Sequence, residues 1–390
     1  MSKWPTVPLG DVLRVSGEKI EPAAQPSDVF NYVGLEHIEG HTGNLLPRQS
    51  ATGAELLSTK NVFRAGQILY GKLRPYLNKV HLADSGGICS TDILVLDADR
   101  QRLSAAFATL YLRTPIVLSA TANLTAGANL PRIDAKAFLG IPIPIPPLAE
   151  QDRIVRLLDE AAALRRLRTQ ANERTAATIP ALFDEVFGHP ATNPKGWPFV
   201  TLGEISQGGQ YGLNAAALPD GSAGIRFIRI TDIDETGKLG RCDPAYVSSE
   251  TPGLGECELG DGDVLIARSG ATAGKSYVHQ STRERSVFAG YLIRFQLDHD
   301  RILPSYMGVF LQTAAYWAQL NSHKRAVAQP NVNAKQLASI RLPLPPIALQ
   351  RTFAARVAEV RALEAEQVTS RKRLDDLYQS LLHRAFSGDL

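Results

Sequence analysis

The chain is written twice, and any fold for it must contain two copies of one module. Trp4-Pro5-Thr6-Val7-Pro8-Leu9-Gly10-Asp11-Val12 returns as Trp197-Pro198-Phe199-Val200-Thr201-Leu202-Gly203-Glu204-Ile205, an offset of 193. Pro131-Arg132-Ile133-Asp134-Ala135-Lys136 returns as Pro330-Asn331-Val332-Asn333-Ala334-Lys335, an offset of 199. At that offset Ile141 to Leu148 matches Ile340 to Ile347, and Gln151 matches Gln350. A repeat this long is far beyond a solenoid unit, so the copies are tandem domains rather than turns of an array.

Each copy has two parts. The first, 1–147 and then 197–346, carries short apolar runs broken by glycine, such as Gln67-Ile68-Leu69-Tyr70 and Asp263-Val264-Leu265-Ile266-Ala267. Their β-branched and aromatic content and their turn-forming ends predict strands. Segments 104–112 and 305–320 predict helix, which makes the fold class mixed α/β. The proline-rich stretches that follow cannot continue a helix and predict an extended strap.

The second part of each copy, 148–188 and 347–390, is a long amphipathic helix. Ile154, Leu157, Leu158, Ala161, Leu164 and Leu167 recur at spacings of three and four, as do Phe353, Val357, Val360 and Leu363, with Leu374, Leu377 and Leu381 resuming the stripe. A helix of about 30 residues runs about 45 Å, longer than one module can cover. The two stripes are therefore expected to bury each other, near coiled-coil periodicity. The first helix is expected to end around Ile179-Pro180, and 189–196 reads as the linker into the second copy.

This doubled layout resembles the specificity subunits of type I restriction–modification systems. The motifs that carry the resemblance are Trp-Pro…Leu-Gly-Asp/Glu opening each half, Pro-Ile-Pro-Pro-Leu-Ala-Glu-Gln at 144–151, and the terminal Leu-Leu-His-Arg-Ala-Phe-Ser-Gly-Asp-Leu at 381–390. One departure is Ala348-Leu349-Gln350, which lacks a glutamate where the first half has Glu150. The resemblance implies two target-recognition domains that each read half of a split duplex-DNA site. It implies that the two long helices pair as an antiparallel coiled coil, set the spacer and dock partners. Those partners are two modification subunits, which bind S-adenosylmethionine and methylate adenine, and restriction subunits that translocate and cleave DNA. No catalysis and no cofactor is expected in this chain.

Candidate DNA contacts are basic and amide side chains on loops after strands, since phosphates and base edges need such donors. The first half offers Lys72, Arg74, Tyr76, Asn78 and Lys79, and the second Arg268, Ser269, Thr272 and Lys275 in the equivalent place. A second stretch, just before the strap, offers Asn129 and Arg132 in one half and Lys324, Arg325, Gln329 and Asn331 in the other. On the helices Arg165, Arg166, Arg168, Arg371, Lys372 and Arg373 exceed what an apolar seam needs, and are candidates for partner docking.

The net charge of +3 does not itself announce nucleic-acid binding, so that reading rests on where the charges sit. Gly270-Ala271-Thr272-Ala273-Gly274-Lys275-Ser276 imitates a phosphate-binding loop, but has three residues between its glycines instead of four and an extended sequence after it. A methyltransferase would need an Asn/Asp-Pro-Pro-Tyr/Phe motif, and neither Asp134 nor Asn333 precedes a proline pair. Cys89, Cys242 and Cys257 form no metal-binding pair and read as thiols of a reducing compartment. No apolar run reaches the roughly 18–20 residues of a membrane span, and no signal-peptide core follows Lys3, so a cytoplasmic location is expected. Two other readings stay open on the residues alone. One is a scaffold whose globular parts bind protein. The other is a reader of RNA or single strands, although aromatics are only 7% and not interleaved with basic residues.

Overall fold

The computed structural model describes residues 3–47, 50–126, 130–218, 224–240, 243–270, 272–281, 283–324 and 331–390. They fall into two compact units, Met1–Thr169 with Ser370–Leu390, and Gln170–Thr369.

In the first unit the apolar runs form an antiparallel sheet of β1 (Leu13–Val15), β2 (Ile68–Gly71), β3 (Val80–Leu82) and β4 (Ile93–Ala98), in the order β1-β4-β2-β3. All four residues of β2 are buried, which is why that run is apolar without alternation. Helices α1 (Ala105–Leu112) and α2 (Pro115–Asn123) cover the sheet; Ser104 and Thr114 cap them by accepting from the Phe107 and Val117 N–H groups. The short helix α3 (Ala135–Leu139) is capped by Asp134, whose carboxylate accepts from two backbone N–H groups. The strap, Pro142–Pro144, pairs with Thr6–Pro8 and leads into α4 (Leu148–Phe187).

The second unit repeats this plan. Its sheet contains β5 (Ser206–Tyr211), β6 (Val264–Ala267), β7 (Ser276–Val278) and β8 (Leu292–Leu297), in the matching order β5-β8-β6-β7. The predicted helix over 305–320 is two helices, α5 (Pro304–Phe310) and α6 (Ala314–Lys324). The break falls at Thr313, whose hydroxyl accepts from the Tyr316 N–H just as Thr114 caps α2. Helix α7 (Ala334–Ala338) is capped by Asn333, the counterpart of Asp134. The repeated Pro-Arg-Ile-Asp-Ala-Lys motif is thus an N-cap with the strand residues that lead to it. The second strap, Arg341–Pro343, pairs with Phe199–Thr201 and leads into α8 (Ile347–Ser387).

The long helices pack against each other and against the modules, and run antiparallel. In the first unit Ile154 and Leu158 of α4 share a core with Leu382, Ala385 and Phe386 of α8, beside Phe107 and Tyr111 of α1. In the second unit Phe183 of α4 stacks on Tyr306, and Phe187 meets Tyr306 and Phe353 edge-on, as Phe183 meets Phe353.

Two expectations about the helices need correction. Helix α4 does not stop near Ile179 but continues through Pro180 to Phe187. An interior proline costs about 3 kcal/mol, whereas burying one aromatic side chain contributes about 1.5–3 kcal/mol. Phe183 and Phe187 are both buried, with Leu182 and Val186 packed beside them, so the burial outweighs the proline. The apolar stripe is also not all seam: Leu164 is 52% and Leu167 62% exposed, and Leu363 and Leu377 are exposed too.

Among the described residues no single helix is long and apolar enough to cross a membrane. The pair α1 and α2 meets the length and composition only when taken together, is bent by 63°, and buries Phe107, Tyr111 and Val117 in the first core.

Candidate nucleic-acid interface

Lys72 follows directly on β2, and Arg268 directly on β6. The backbone at each is tied into the same three-way junction. The Lys72 N–H donates to the Asp92 carbonyl at 2.9 Å, and the Lys72 carbonyl accepts from the Ile133 N–H at 3.0 Å. The Arg268 N–H donates to the Tyr291 carbonyl at 3.0 Å, and its carbonyl accepts from the Val332 N–H at 2.8 Å. The next residues bridge Leu73 to Arg132 in one unit and Ser269 to Asn331 in the other. In each unit, therefore, the loop after the strand and the stretch before the strap, which the sequence keeps about 60 residues apart, meet in one surface.

The candidate side chains at this junction are not equally free. In the first unit Arg74 and Tyr76 are exposed and Lys72 is half-buried. Arg74 sits in the left-handed region at φ 50°, held by its N–H on the Pro131 carbonyl at 2.7 Å; its counterpart is Gly270, at φ 72°. Asn78 is buried, also left-handed, and its amide donates to the Arg113 carbonyl at 2.8 Å. Arg132 is engaged by Asp92 through two contacts of 3.0 and 3.4 Å, and those hydrogen bonds and the charge behind them raise its pKa.

Lys79 and Lys275 occupy equivalent positions just before β3 and β7, and both reach inward. Lys79 Nζ donates to the Leu35 carbonyl at 2.6 Å. Lys275 Nζ pairs with Glu235 at 2.6 Å and lies 3.5 Å from the Ile233 carbonyl. Each pins a preceding turn to the sheet.

In the second unit Ser269 and Thr272 are half-buried, the Thr272 hydroxyl lying 3.5 Å from the Ser269 carbonyl, and Asn331 is exposed. Arg268 lies with its guanidinium 5.0 Å over the Tyr211 ring. Asn129, Arg325 and Gln329 lie outside the described residues, as does the side chain of Lys324, the last residue of α6.

Sequence reasoning missed Asp92, Tyr211 and Tyr291. The available signal was position: Asp92 and Tyr291 stand 199 residues apart, as Arg132 and Asn331 do, and each pair shares a junction.

The phosphate-loop imitation is followed by strand β7 and not by a helix. Among the described residues no three His, Cys, Asp or Glu side chains group as metal ligands. Cys89 and Cys257 are buried free thiols, and burial pushes the Cys89 pKa up to about 12; Cys242 lies outside the described residues.

On the helical part of the first unit, Arg165 is spent within the helix pair. Its Nε donates to Asp375 at 2.6 Å and its guanidinium covers the Tyr378 ring at 4.7 Å. Arg166, Arg371, Lys372 and Arg373 are exposed and Arg168 is half-buried.

Comparison with known proteins bears directly on this arrangement. The family described as the type I restriction modification DNA specificity domain matches residues 1–174 and 194–372. The chain is 30% identical over 162 residues to the type I restriction enzyme EcoDI specificity subunit of Escherichia coli, covering 42% of this chain and 35% of that one. It is 26% identical over 304 residues to the EcoKI specificity subunit of Escherichia coli strain K12, covering 72% and 64%. The alignments thus span between about a third and just under two thirds of these relatives' length. A solved structure described as the structural basis of complex assembly and conformational transition of the type I R-M system matches at a TM-score of 0.65. That match has 25% identity over 99% of this chain and 98% of that one.

Proposed function

The chain belongs to the specificity subunits of type I restriction–modification systems, and from that premise we propose that it reads a bipartite site in duplex DNA, one half with each module. The observation that carries this reading is the junction built twice, with Lys72 or Arg268 at its centre and with exposed polar residues brought to it from two separate stretches. Lys72, Arg74 and Tyr76 would contact the first half-site, with Arg132 beside them; Asn129 is proposed for the same half-site from the sequence. Arg268, Ser269, Thr272 and Asn331 would contact the second, with Lys324, Arg325 and Gln329 on the flanking stretch. Asn78, Lys79 and Lys275 support these loops from within.

Specificity subunits are recognition components without catalysis of their own, and the chemistry belongs to the partners. Two modification subunits carrying S-adenosylmethionine, and restriction subunits, would assemble on α4 and α8. Exposed Leu164, Leu167 and Leu377 among Arg166, Arg168, Arg371, Lys372 and Arg373 suit a partner face that is both apolar and acidic. The same helices would set the unread spacer, and the assembly would work in the cytoplasm on chromosomal and invading DNA.

The test is a mobility-shift assay of the chain reconstituted with its modification subunit. Duplex DNA, the matching single strands and RNA are compared, and single-molecule methylation mapping identifies the site. A split motif with preferential duplex binding is expected. Preference for single strands or RNA, or assembly without nucleic-acid binding, would replace this reading by one of the other two classes.

A further inference from the structure

Lys72 and Arg268 stand at the same junction in different company. In the first unit Asp92 engages Arg132 through two hydrogen bonds, so two of the three charges there cancel. At the equivalent places the second unit has Tyr291 and Asn331, both exposed and both uncharged. Among the described residues nothing accepts a hydrogen bond from the Arg268 guanidinium, and its Nε is shielded from solvent without a partner. With no acceptor among the described residues, the outer N–H groups of the guanidinium are left for an acceptor supplied by a ligand.

Strand β5 explains what holds Arg268. It has six residues against three in β1, and it passes through a bulge between Gly208 and Gln210. Gly208 and Gly209 take φ of 111° and 91°, open only to glycine at low cost. A Cβ on Gly209 would come within 2.8 Å of Ala334 Cβ. The added residues end in Tyr211, whose ring lies under Arg268 and whose hydroxyl accepts from the Ala334 N–H at 3.4 Å, where α7 begins. The bulge, the glycine pair and the extra strand length together deliver one aromatic ring beneath one guanidinium.

We propose that Arg268 reads a guanine in the second half-site, with Tyr211 as its positioning residue; this rests on the duplex-DNA reading given above. A guanidinium stacked on a ring keeps its plane fixed and presents its edge, and a guanine offers two acceptors, O6 and N7, to such a fork in the major groove. A phosphate needs only a positive charge. Lys72, a flexible point charge beside the Asp92–Arg132 pair, suits that lesser task.

The experiment uses the full chain reconstituted with its modification subunit. Competition binding is measured on duplexes carrying the wild-type split site, and on variants with each base pair of the second half-site replaced in turn. Arg268→Ala is expected to remove discrimination at one guanine, worth about 5- to 150-fold, and to leave the first half-site profile unchanged. Arg268→Lys keeps the charge, and should keep affinity while losing most of that discrimination. Tyr211→Ala weakens discrimination at the same base, while Tyr211→Phe, which retains the ring, preserves it.

A second half-site without guanine would overturn the proposal. So would an Arg268→Ala or Arg268→Lys profile parallel to wild type, whether lowered equally for all duplexes or unchanged. If the wild-type complex shows no preference for a split duplex site, the broader reading falls as well.

Discussion

Gln151 and Gln350, at an offset of 199, make the same three hydrogen bonds in their two units. Gln151 accepts from the Ser104 N–H and donates to the carbonyls of Arg102 and Pro146, each at 2.8 Å. Gln350 accepts from the Leu303 N–H at 2.8 Å and donates to the carbonyls of Arg301 and Pro345 at 3.1 and 2.8 Å. Both side chains are fully buried, and each bolts the start of a long helix to the loop before a module's first long helix. Replacing either by leucine would leave one N–H and two carbonyls unpaired in the core. We expect Gln151→Leu or Gln350→Leu to lower stability by about 2–4 kcal/mol in urea unfolding. Glu150→Gln removes only a surface pair with Arg153 and should cost under about 1 kcal/mol. That contrast accounts for a second copy that keeps the glutamine and has Leu349 in place of the acid.

Arg74 and Gly270 set stability against function. Both hold the left-handed conformation at the same turn, where glycine pays nothing and a side chain costs about 1–2 kcal/mol. Arg74→Gly should therefore raise the unfolding free energy by up to about 1 kcal/mol, after the added backbone entropy of glycine in the unfolded chain is discounted. If Arg74 touches DNA, the same substitution weakens binding of the reconstituted complex to its duplex. A variant that is more stable and binds as before would mean the strained arginine has no part in recognition.

Arg165 and Asp375 allow helix pairing to be separated from partner docking. Arg165→Glu sets two acids side by side in the pair and removes the guanidinium from Tyr378, which should cost about 0.5–1.5 kcal/mol. Adding Asp375→Arg should restore most of the ion-pair part. Reversing Arg166, Arg168, Arg371, Lys372 and Arg373 together should leave the melting temperature nearly unchanged, yet weaken co-purification of the modification subunit. Assembly that survives these reversals would place the docking surface elsewhere.

The architecture was legible because it is repeated and periodic. The doubled motifs, the strand before each junction and the long helices all follow from patterns of apolar residues and turn formers. Local chemistry was marked only by repetition: Asp134 and Asn333 recur at one offset before an alanine-lysine pair, and the structure makes both of them N-caps. Contacts between distant segments were not. Nothing near Lys79 or Lys275 in sequence announces that the Leu35 carbonyl or Glu235 will engage them, so both read as free cations. Leu164 and Leu167 obeyed helical spacing yet ended outside the seam, since periodicity reports that a stripe exists and not how far its partner covers it. Tyr211 was hidden for a third reason: its place depends on a bulge, which shifts register without changing composition.

The spacer prediction follows from how the helices are joined. Gln367, at the midpoint of α8, is buried and donates to Thr175 of α4 at 2.9 Å. Lengthening α4 alone would break this register, so both helices must be extended in step. Four residues inserted after Ala176 and four after Glu366 add close to one turn, or about 6 Å, to each helix, and nearly preserve the buried faces. If the helices set the spacing between half-sites, the unread spacer should lengthen by about one to two base pairs, at about 3.4 Å per pair, while the bases of both half-sites stay the same. Methylation mapping in cells carrying the doubly inserted chain reads both quantities at once. A methylated motif whose spacer is unchanged would show that something other than helix length fixes the distance. Altered half-site bases would show instead that the insertions had reached the recognition modules.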